Sequence, residues 1–434
     1  MDTTSFFKEH FDKLQLKDSD SGLDAIRKRA FRRFNEKGIP ASRNEEWKYT
    51  RIGSLFNTEY SFPLTPENIS EEDLNGVRLA GYEQANELIF VNGIFSDSLS
   101  TVRSRELIVQ PLEQAAKNEY KDIVSAHLGH SSKYLNDGIN ALNTAFVHGG
   151  IFMYVKKGKV TEHPVYIYHI SDARAANIFS QPRSLIYIGE NAQVQLVETS
   201  STIGMGESFI NGVMEIAVEK DSVLEYYTIQ NDAAHTNQVS TTHIRQVGKS
   251  YIHAVTISMN GGIVRNNLNV VMDADQAEAH LYGLYFLKGQ SHVDNHTVVD
   301  NVKPNCYSNE LYKGIINDSA TAVFNGKIFV QPNAQKTNAY QSNKNILLSD
   351  TASVNTKPQL EIFADDVKCS HGCTVGRLNE EGLYYLRSRG ISETMARALL
   401  IHAFAVDILE RIKPLPIRKY VDQLISERLE FDIE

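Results

Sequence analysis

The fold is decided by a pattern that recurs in three stretches of this chain: NAQVQLVETS at 191–200, DSVLEYYTIQ at 221–230 and KSYIHAVTIS at 249–258. Each stretch opens with a polar turn residue and a small residue, and apolar side chains then alternate with other residues. Alternation with a period of two puts the apolar side chains on one face of a β-strand. Each stretch therefore predicts a strand with one face in the core.

Copies of this pattern follow one another at nearly constant spacing. The first four copies start 27 to 30 residues apart, the next gap is 43 residues and the last is 32. A recurrence of roughly 20–50 residues is typical of a solenoid, and the period of two inside each copy excludes helical repeats. The 43-residue gap predicts an insertion or a skipped turn. The copies start at Ala192, Ser222, Ser250, Ala277, Ala320 and Ala352.

These observations predict a mainly β fold: a parallel β-helix (solenoid) core with a helical N-terminal region and a helical C-terminal domain. A β-sandwich is the alternative, although it does not require repeats in phase. Apolar residues at helical spacing mark the flanks, as at Phe7 and Phe11. The predicted domains are a mostly helical region at 1–146, the β-helix at 147–376 and a helical partner-binding domain at 377–434.

Length and composition limit the class of protein. The 434 residues are enough for two or three domains, and 42% of them are hydrophobic, as in globular proteins. The net charge of −9 argues against a broad nucleic-acid surface, and no apolar run approaches the roughly 18–20 residues that span a bilayer. Three cysteines and the lack of an export leader predict a reducing, cytoplasmic location.

The sharpest local motif is Cys369-Ser370-His371-Gly372-Cys373. On a strand, Cys369, His371 and Cys373 would share one face with neighbouring Cα atoms roughly 6.6–7 Å apart. Thiolates and imidazoles suit soft or borderline metals such as iron and zinc. The alternative is that the cysteines are buried and pack as small apolar residues.

A second alternating set is His292, Asp294 and His296. It projects nitrogen and oxygen donors from one strand face, and such donors bind iron or zinc. Alternating polar residues are also what any half-exposed strand shows, so a purely structural role is the alternative.

The C-terminal domain contains the segment ALLIHAFAVDIL at 398–409, which is apolar on almost every side of a helix. A helix of this kind must be covered by its own domain and by something else. We expect a partner protein to contact it through Leu399, Leu400, Phe404 and Ile408. Burial within the chain's own fold is the alternative.

No complete catalytic motif is present in the sequence. Gly248-Lys249-Ser250 ends like a phosphate-binding loop, but His243 stands where its first glycine belongs. No G-x-S-x-G or H-E-x-x-H motif occurs. The sequence therefore predicts neither a nucleotide site nor catalytic residues, so the protein is not expected to be an enzyme.

Three segments carry a family resemblance: NEEWKYT at 44–50, KGIINDSATAVFNGKIFVQPNAQKTNAYQ at 313–341 and KPQLEIFADDVKCSHGCTVGRLNEEGLYYLRSRGI at 357–391. With them the chain resembles the SufB/SufD family of iron–sulfur cluster assembly proteins, and more closely its SufD branch. The resemblance implies a non-catalytic subunit that pairs with a SufB-like subunit. It also implies an ABC ATPase, SufC-like, bound to the C-terminal helices, and sulfur delivered by a cysteine desulfurase.

The resemblance also implies which residues matter. His371 matches a family histidine implicated as a cluster or iron ligand at the interface with SufB, and Cys369 is the cysteine of the same motif. Ser342 stands where SufB carries an assembly cysteine, and Gly372 stands where SufB carries a glutamate. Both differences favour the SufD branch. They imply that iron or a nascent cluster is shared with the SufB-like partner and that the isolated chain binds none tightly. A homodimer is a further possibility for the isolated chain.

Two other functions compete with this one. Many β-helices are carbohydrate-active enzymes that cleave polysaccharides in a long surface cleft, but the single tryptophan and the missing leader count against that class. The other alternative is a stand-alone metal-binding protein that uses His292, Asp294 and His296.

Overall fold

The computed structural model describes residues 3–17, 22–65 and 67–429. The described part of the N-terminal region contains six α-helices. The apolar stripe of α2 ends at Gly38, whose φ of +65° suits a residue without a Cβ. The helices are α1 (Thr3–Lys17), α2 (Asp24–Lys37), α3 (Glu71–Val77), α4 (Leu112–Ala115), α5 (Lys121–His127) and α6 (Gly138–Ala145).

Within the described ranges, twenty strands form two long sheets that face each other. Sheet one contains, in spatial order, β2 (Ile94–Thr101), β1 (Asn86–Val91), β5 (Val165–Asp172), β8 (Gln193–Ile203), β10 (Val223–Asn231), β12 (Tyr251–Asn260), β14 (Glu278–Leu287), β16 (Tyr307–Ile316), β18 (Asn338–Leu347) and β20 (Lys368–Gly376). Only its β1–β2 pair is antiparallel among the described strands.

Sheet two has the same parallel pairing apart from its first pair, β3–β4. It contains β19 (Ser353–Ile362), β17 (Thr321–Val330), β15 (His292–Asn301), β13 (Ile263–Met272), β11 (Thr236–Gln246), β9 (Ser208–Val218), β7 (Arg183–Ile188), β4 (Ile151–Val155) and β3 (Leu107–Pro111), with β6 (Ile178–Ser180) beside β9.

From β7 onward, successive strands alternate between the two sheets, so each turn of the chain adds one strand to each sheet. The result is a solenoid of about eight turns with helices before and after it, which confirms the predicted fold class. Apolar side chains from both sheets, such as Leu224 of β10 and Ile244 of β11, meet in one continuous core. The alternation predicted this core correctly, because apolar faces that repeat in phase stack on one another when the strands are parallel.

The predicted insertion or skipped turn between Ala277 and Ala320 is wrong. Ala277 precedes β14 in sheet one, whereas Ala320 precedes β17 in sheet two. Between them lie β15 and β16, which continue the regular spacing. The pattern passes from one sheet to the other because both sheets face the same core and carry the same alternation.

Strand pairing begins before residue 147, the predicted start of the β-helix. β1 pairs in parallel with β5, and β3 pairs with β4. Three strands of the N-terminal region thus extend both sheets at their first turn. The aromatic cluster of α1 and α2, which includes Phe11 and Phe31 stacked at 4.1 Å, packs with Phe209 on the outer face of sheet two.

The C-terminal helices are α7 (Glu380–Ser388), α8 (Glu393–Leu409) and α9 (Leu415–Leu429). The Ser392 hydroxyl caps α8 by accepting from the N–H of Met395 at 3.2 Å. Side chains of α8 and α9 pack on the outer face of sheet one. Over the described parts of the chain, every helix is too short or too polar to cross a membrane.

Candidate functional site

The C-S-H-G-C motif lies on β20, the last strand of sheet one. In register, Cys369 pairs with Ala339, His371 with Gln341 and Cys373 with Asn343 of β18. These three partners are buried in the solenoid interior. The motif's two thiols and its imidazole therefore stand on the core-facing side of the sheet, all on one strand face.

No described strand follows β20 in sheet one, so the motif lies at an open edge of the solenoid. Cys369 is half-buried against the end of the core, whereas His371 and Cys373 are exposed. The site is thus the open end of the solenoid, with ligand-type side chains where core residues would stand in a further turn.

The chemistry of this end is that of an incomplete ligand set. Burial raises the pKa of the Cys369 thiol, so a cation is needed to favour its thiolate. His371 offers an imidazole nitrogen, the usual metal donor of histidine. Among the described residues no group of three or more His, Cys, Asp or Glu side chains is arranged to hold a metal ion. Iron at this end would need further ligands from another molecule.

The second predicted set, His292, Asp294 and His296, is brought together on β15 but is already partnered. The Asp294 carboxylate pairs with the Arg265 guanidinium at 2.9 Å and with His296 Nε2 at 3.0 Å. The carboxylate also accepts from the Thr50 hydroxyl at 2.5 Å. The same hydroxyl oxygen of Thr50 lies 2.9 Å from His292 Nε2. A metal cation would have to displace a buried guanidinium from this carboxylate.

These contacts join the NEEWKYT segment to the outer face of sheet two. Arg265 lies over the Trp47 ring at 3.9 Å and donates to the carbonyl oxygen of Glu46 at 2.7 Å. Glu46 also reaches Lys327 of β17, and Glu45 reaches Lys357 of β19. The geometry favours the structural alternative for the histidine–aspartate set: it holds the N-terminal region on the sheet.

The four predicted partner contacts on α8 differ in exposure. Leu399 is 39% exposed, and Leu400 and Phe404 are half-buried. Ile408 is fully buried against sheet one, so its side chain is not part of the surface. A helix that is apolar on every side was expected to contact both its own fold and a partner. Sheet one provides the contact within the fold.

Sequence analysis missed three exposed apolar side chains on α7 and α8. Tyr384 and Tyr385 of α7 are 77% and 57% exposed, and Met395 of α8 is 38% exposed. Two adjacent tyrosines in a short helix could have indicated an exposed ring from sequence alone. Neighbouring residues point in different directions from a helix, so both rings cannot pack on the same buried face. We call Tyr384, Tyr385, Met395 and Leu399 the helical patch.

Comparisons with known proteins agree with this architecture. The family described as the SufBD core domain of SUF-system FeS cluster assembly matches residues 169–404, and the SufBD N-terminal region matches residues 2–167. An iron–sulfur cluster assembly SufBD family protein of Synechocystis is 29% identical, over 90% of this chain and 87% of the relative.

Two further relatives are similar over most of their length. The iron–sulfur cluster assembly protein SufD of Escherichia coli is 28% identical, over 90% of each chain. The chloroplastic protein ABCI7 of Arabidopsis thaliana is 27% identical, over 87% of this chain and 80% of the relative. The family matches together span both the N-terminal region and the solenoid described above. The chain belongs to the SufBD family of iron–sulfur cluster assembly proteins.

Proposed function

We propose that this chain is a SufD-like, non-catalytic subunit of a scaffold that also contains a SufB-like subunit and a SufC-like ABC ATPase. In this scaffold His371 and Cys369 supply part of the ligand set for iron or a nascent cluster. Sulfur comes from a desulfurase, and nucleotide hydrolysis belongs to the ATPase. The observation that carries the proposal is the position of both side chains on the core-facing side of the last strand.

The open end of the solenoid supports the pairing with a second subunit. β19 and β20 are the last strands of their sheets, and each has a neighbouring described strand on one side only. Unpaired strand edges bind other strands readily. A SufB-like subunit that continues the sheets would bring its own side chains to His371 and would complete the shell that Cys369 and His371 leave unfinished.

The helical patch supports docking of the ATPase. Four large apolar side chains of α7 and α8 are substantially exposed, and exposed apolar surface marks interaction sites. The family resemblance assigns the ATPase to the C-terminal helices. We place its contact on this patch rather than on Ile408.

Three narrower expectations complete the proposal. Without a SufB-like subunit, two copies of this chain pair through the same open end. The isolated chain holds no cluster tightly, because its own ligand set is incomplete. The complex works in the cytoplasm, as the cysteine content suggests.

The decisive experiment replaces His371 in the intact complex. His371→Ala should lower iron affinity by about ten-fold or more at equal complex recovery, since the loss of one imidazole removes a ligand from an already small set. Iron and acid-labile sulfide are measured after anaerobic reconstitution. His163→Ala, at the opposite end of the solenoid before β5, is the control. Equal iron and sulfide in the His371 variant and the parent would remove His371 from the site.

A further inference from the structure

A column of three polar side chains leads from the solenoid interior to the open end. Glu310 of β16 is the register partner of Gln341 of β18, which is in turn the partner of His371. Register partners on neighbouring strands lie about 4.8 Å apart. Glu310 is 2% exposed and Gln341 3% exposed, so two buried polar groups lie directly behind the exposed imidazole.

Glu310 is buried without a cationic partner among the described residues. Its Oε2 accepts from Gln341 Nε2 at 2.6 Å, and burial raises the pKa of its carboxyl to about 7. A carboxyl group in a core costs free energy that an apolar residue would not. The presence of this carboxyl group near the open end therefore points to a role beyond packing.

Gln341 is held in one orientation. Its Nε2 donates to Glu310 Oε2, and its amide oxygen therefore points elsewhere. Gly326 of β17 leaves the space for this amide, because a Cβ there would lie 2.3 Å from Gln341 Nε2. Gln341 Oε1 is buried and has no hydrogen-bond partner among the described residues. The next residue of the column is His371.

We infer that Gln341 and Glu310 are positioning residues for His371: rotation of the exposed His371 side chain lets its imidazole N–H donate to the unpartnered Gln341 amide oxygen, and Glu310 fixes the amide from behind. The inference rests on the proposed role of His371 as a ligand. Histidines that bind metals usually donate their other ring N–H to an oxygen acceptor, which sets the tautomer. The nitrogen that remains then offers its lone pair to iron at the interface.

The first test reads the tautomer of His371 in the full chain without metal. The chain is labelled with ¹⁵N-histidine, and the His371 signals are those lost in His371→Ala. The parent should show one dominant neutral tautomer, and Gln341→Leu, which keeps the volume but removes the acceptor, should show a mixture. An unchanged tautomer population in a folded Gln341→Leu chain would overturn the inference.

A pair of Glu310 variants separates positioning from packing. Glu310→Gln keeps an oxygen that accepts from Gln341, so the dominant tautomer should persist. Glu310→Met removes the acceptor, so the tautomer should become mixed. Identical tautomer populations in the two variants would overturn the role of Glu310. This pair also decides the inference if Gln341→Leu does not fold.

The second test uses the reconstituted complex. Gln341→Leu should weaken ferrous iron binding by about ten-fold at unchanged complex recovery. A mixed tautomer with parental iron affinity would overturn positioning toward a metal. Failure of the proposed function looks different: His371→Ala would leave iron binding unchanged, whatever the tautomer measurements show.

Discussion

Thr50 connects the N-terminal region to sheet two through a single hydroxyl group. The hydroxyl donates its proton to Asp294 and accepts from the His292 ring, and both Thr50 and Asp294 are buried. Asp294 also neutralises the buried guanidinium of Arg265. Removal of the hydroxyl would leave the carboxylate with one donor fewer and the His292 N–H without this acceptor, in a place that water does not reach.

We expect Thr50→Val to lower the free energy of unfolding by about 1–3 kcal/mol, the cost of buried polar groups that lose a hydrogen-bond partner. Urea unfolding followed by the fluorescence of Trp47 measures it, because this single tryptophan stacks on Arg265 in the same junction. Thr50→Ser keeps the hydroxyl and serves as the control. Equal urea midpoints for the valine and serine variants would show that the hydroxyl contributes nothing.

Two histidines join another N-terminal segment to the same sheet. His130, in the short 3₁₀ turn at His130–Lys133, lies with its Nδ1 2.7 Å from Nε2 of His243 on β11. One ring must donate and the other accept, so the accepting ring must be neutral. Burial lowers the pKa of His130 to about 4 and that of His243 to about 3.

The lowered pKa values predict that acid destabilises the fold. Near pH 6.5 the unfolded chain starts to bind protons at both rings, while the folded chain does not until about pH 4. Each ring then costs up to about 1.4 kcal/mol of stability per pH unit over this window. His130→Asn should make the loss of stability between pH 6.5 and 5 less steep. Parallel slopes for variant and parent in urea titrations would contradict this.

At the scale of secondary-structure elements, α7 and α8 present the helical patch while sheet one covers the opposite side of α8. The two sides of this helix therefore have different roles. Ile401, Ala405 and Ile408 attach it to the sheet, whereas Leu399 points away from that contact.

We expect Leu399→Asp to weaken binding of the SufC-like ATPase by roughly 30-fold, or about 2 kcal/mol, because a carboxylate would be buried in an apolar contact. Leu415→Asp is the matched control, since Leu415 is 48% exposed and stands at the start of α9, beyond the far end of α8. Titration of the ATPase by isothermal calorimetry measures both. Equal affinities for the two variants would place the docking surface elsewhere.

At the scale of the whole molecule, the two sheets begin with the antiparallel pairs β1–β2 and β3–β4 and end with the parallel edge strands β19 and β20. The Lys368 N–H donates to the Thr337 carbonyl oxygen of the neighbouring β18 ladder at 2.9 Å. Alternate residues of a strand direct their backbone groups to opposite sides. The N–H groups of Cys369, His371, Cys373 and Val375 therefore face the open edge.

Val375→Pro should abolish pairing at this edge and leave the chain folded, because proline removes a donor that β18 does not use. Val375→Thr, which keeps the N–H, is the control. Light scattering and co-purification with the SufB-like subunit report the assembly, and circular dichroism reports the fold. Full complex recovery with the proline variant would exclude strand pairing at Val375.

Much of this protein follows from local pattern alone. Alternation with a period of two is a property of neighbouring residues, so it identified the strands and the solenoid, and it put Cys369, His371 and Cys373 on one face. Helical spacing similarly identified helices in both flanking regions, as at Phe7 and Phe11. These predictions succeeded because side-chain direction within one strand or helix depends on the backbone of that element.

Other properties depended on contacts between distant parts of the chain. Thr50 and Asp294 are 244 residues apart, and their contact favours a junction over a metal set for His292, Asp294 and His296. The burial of Ile408 depends on which sheet face α8 covers, and the mistaken insertion at Ala320 depended on which sheet its strand joins. Such facts need the tertiary structure, because local sequence does not specify which surfaces bury one another.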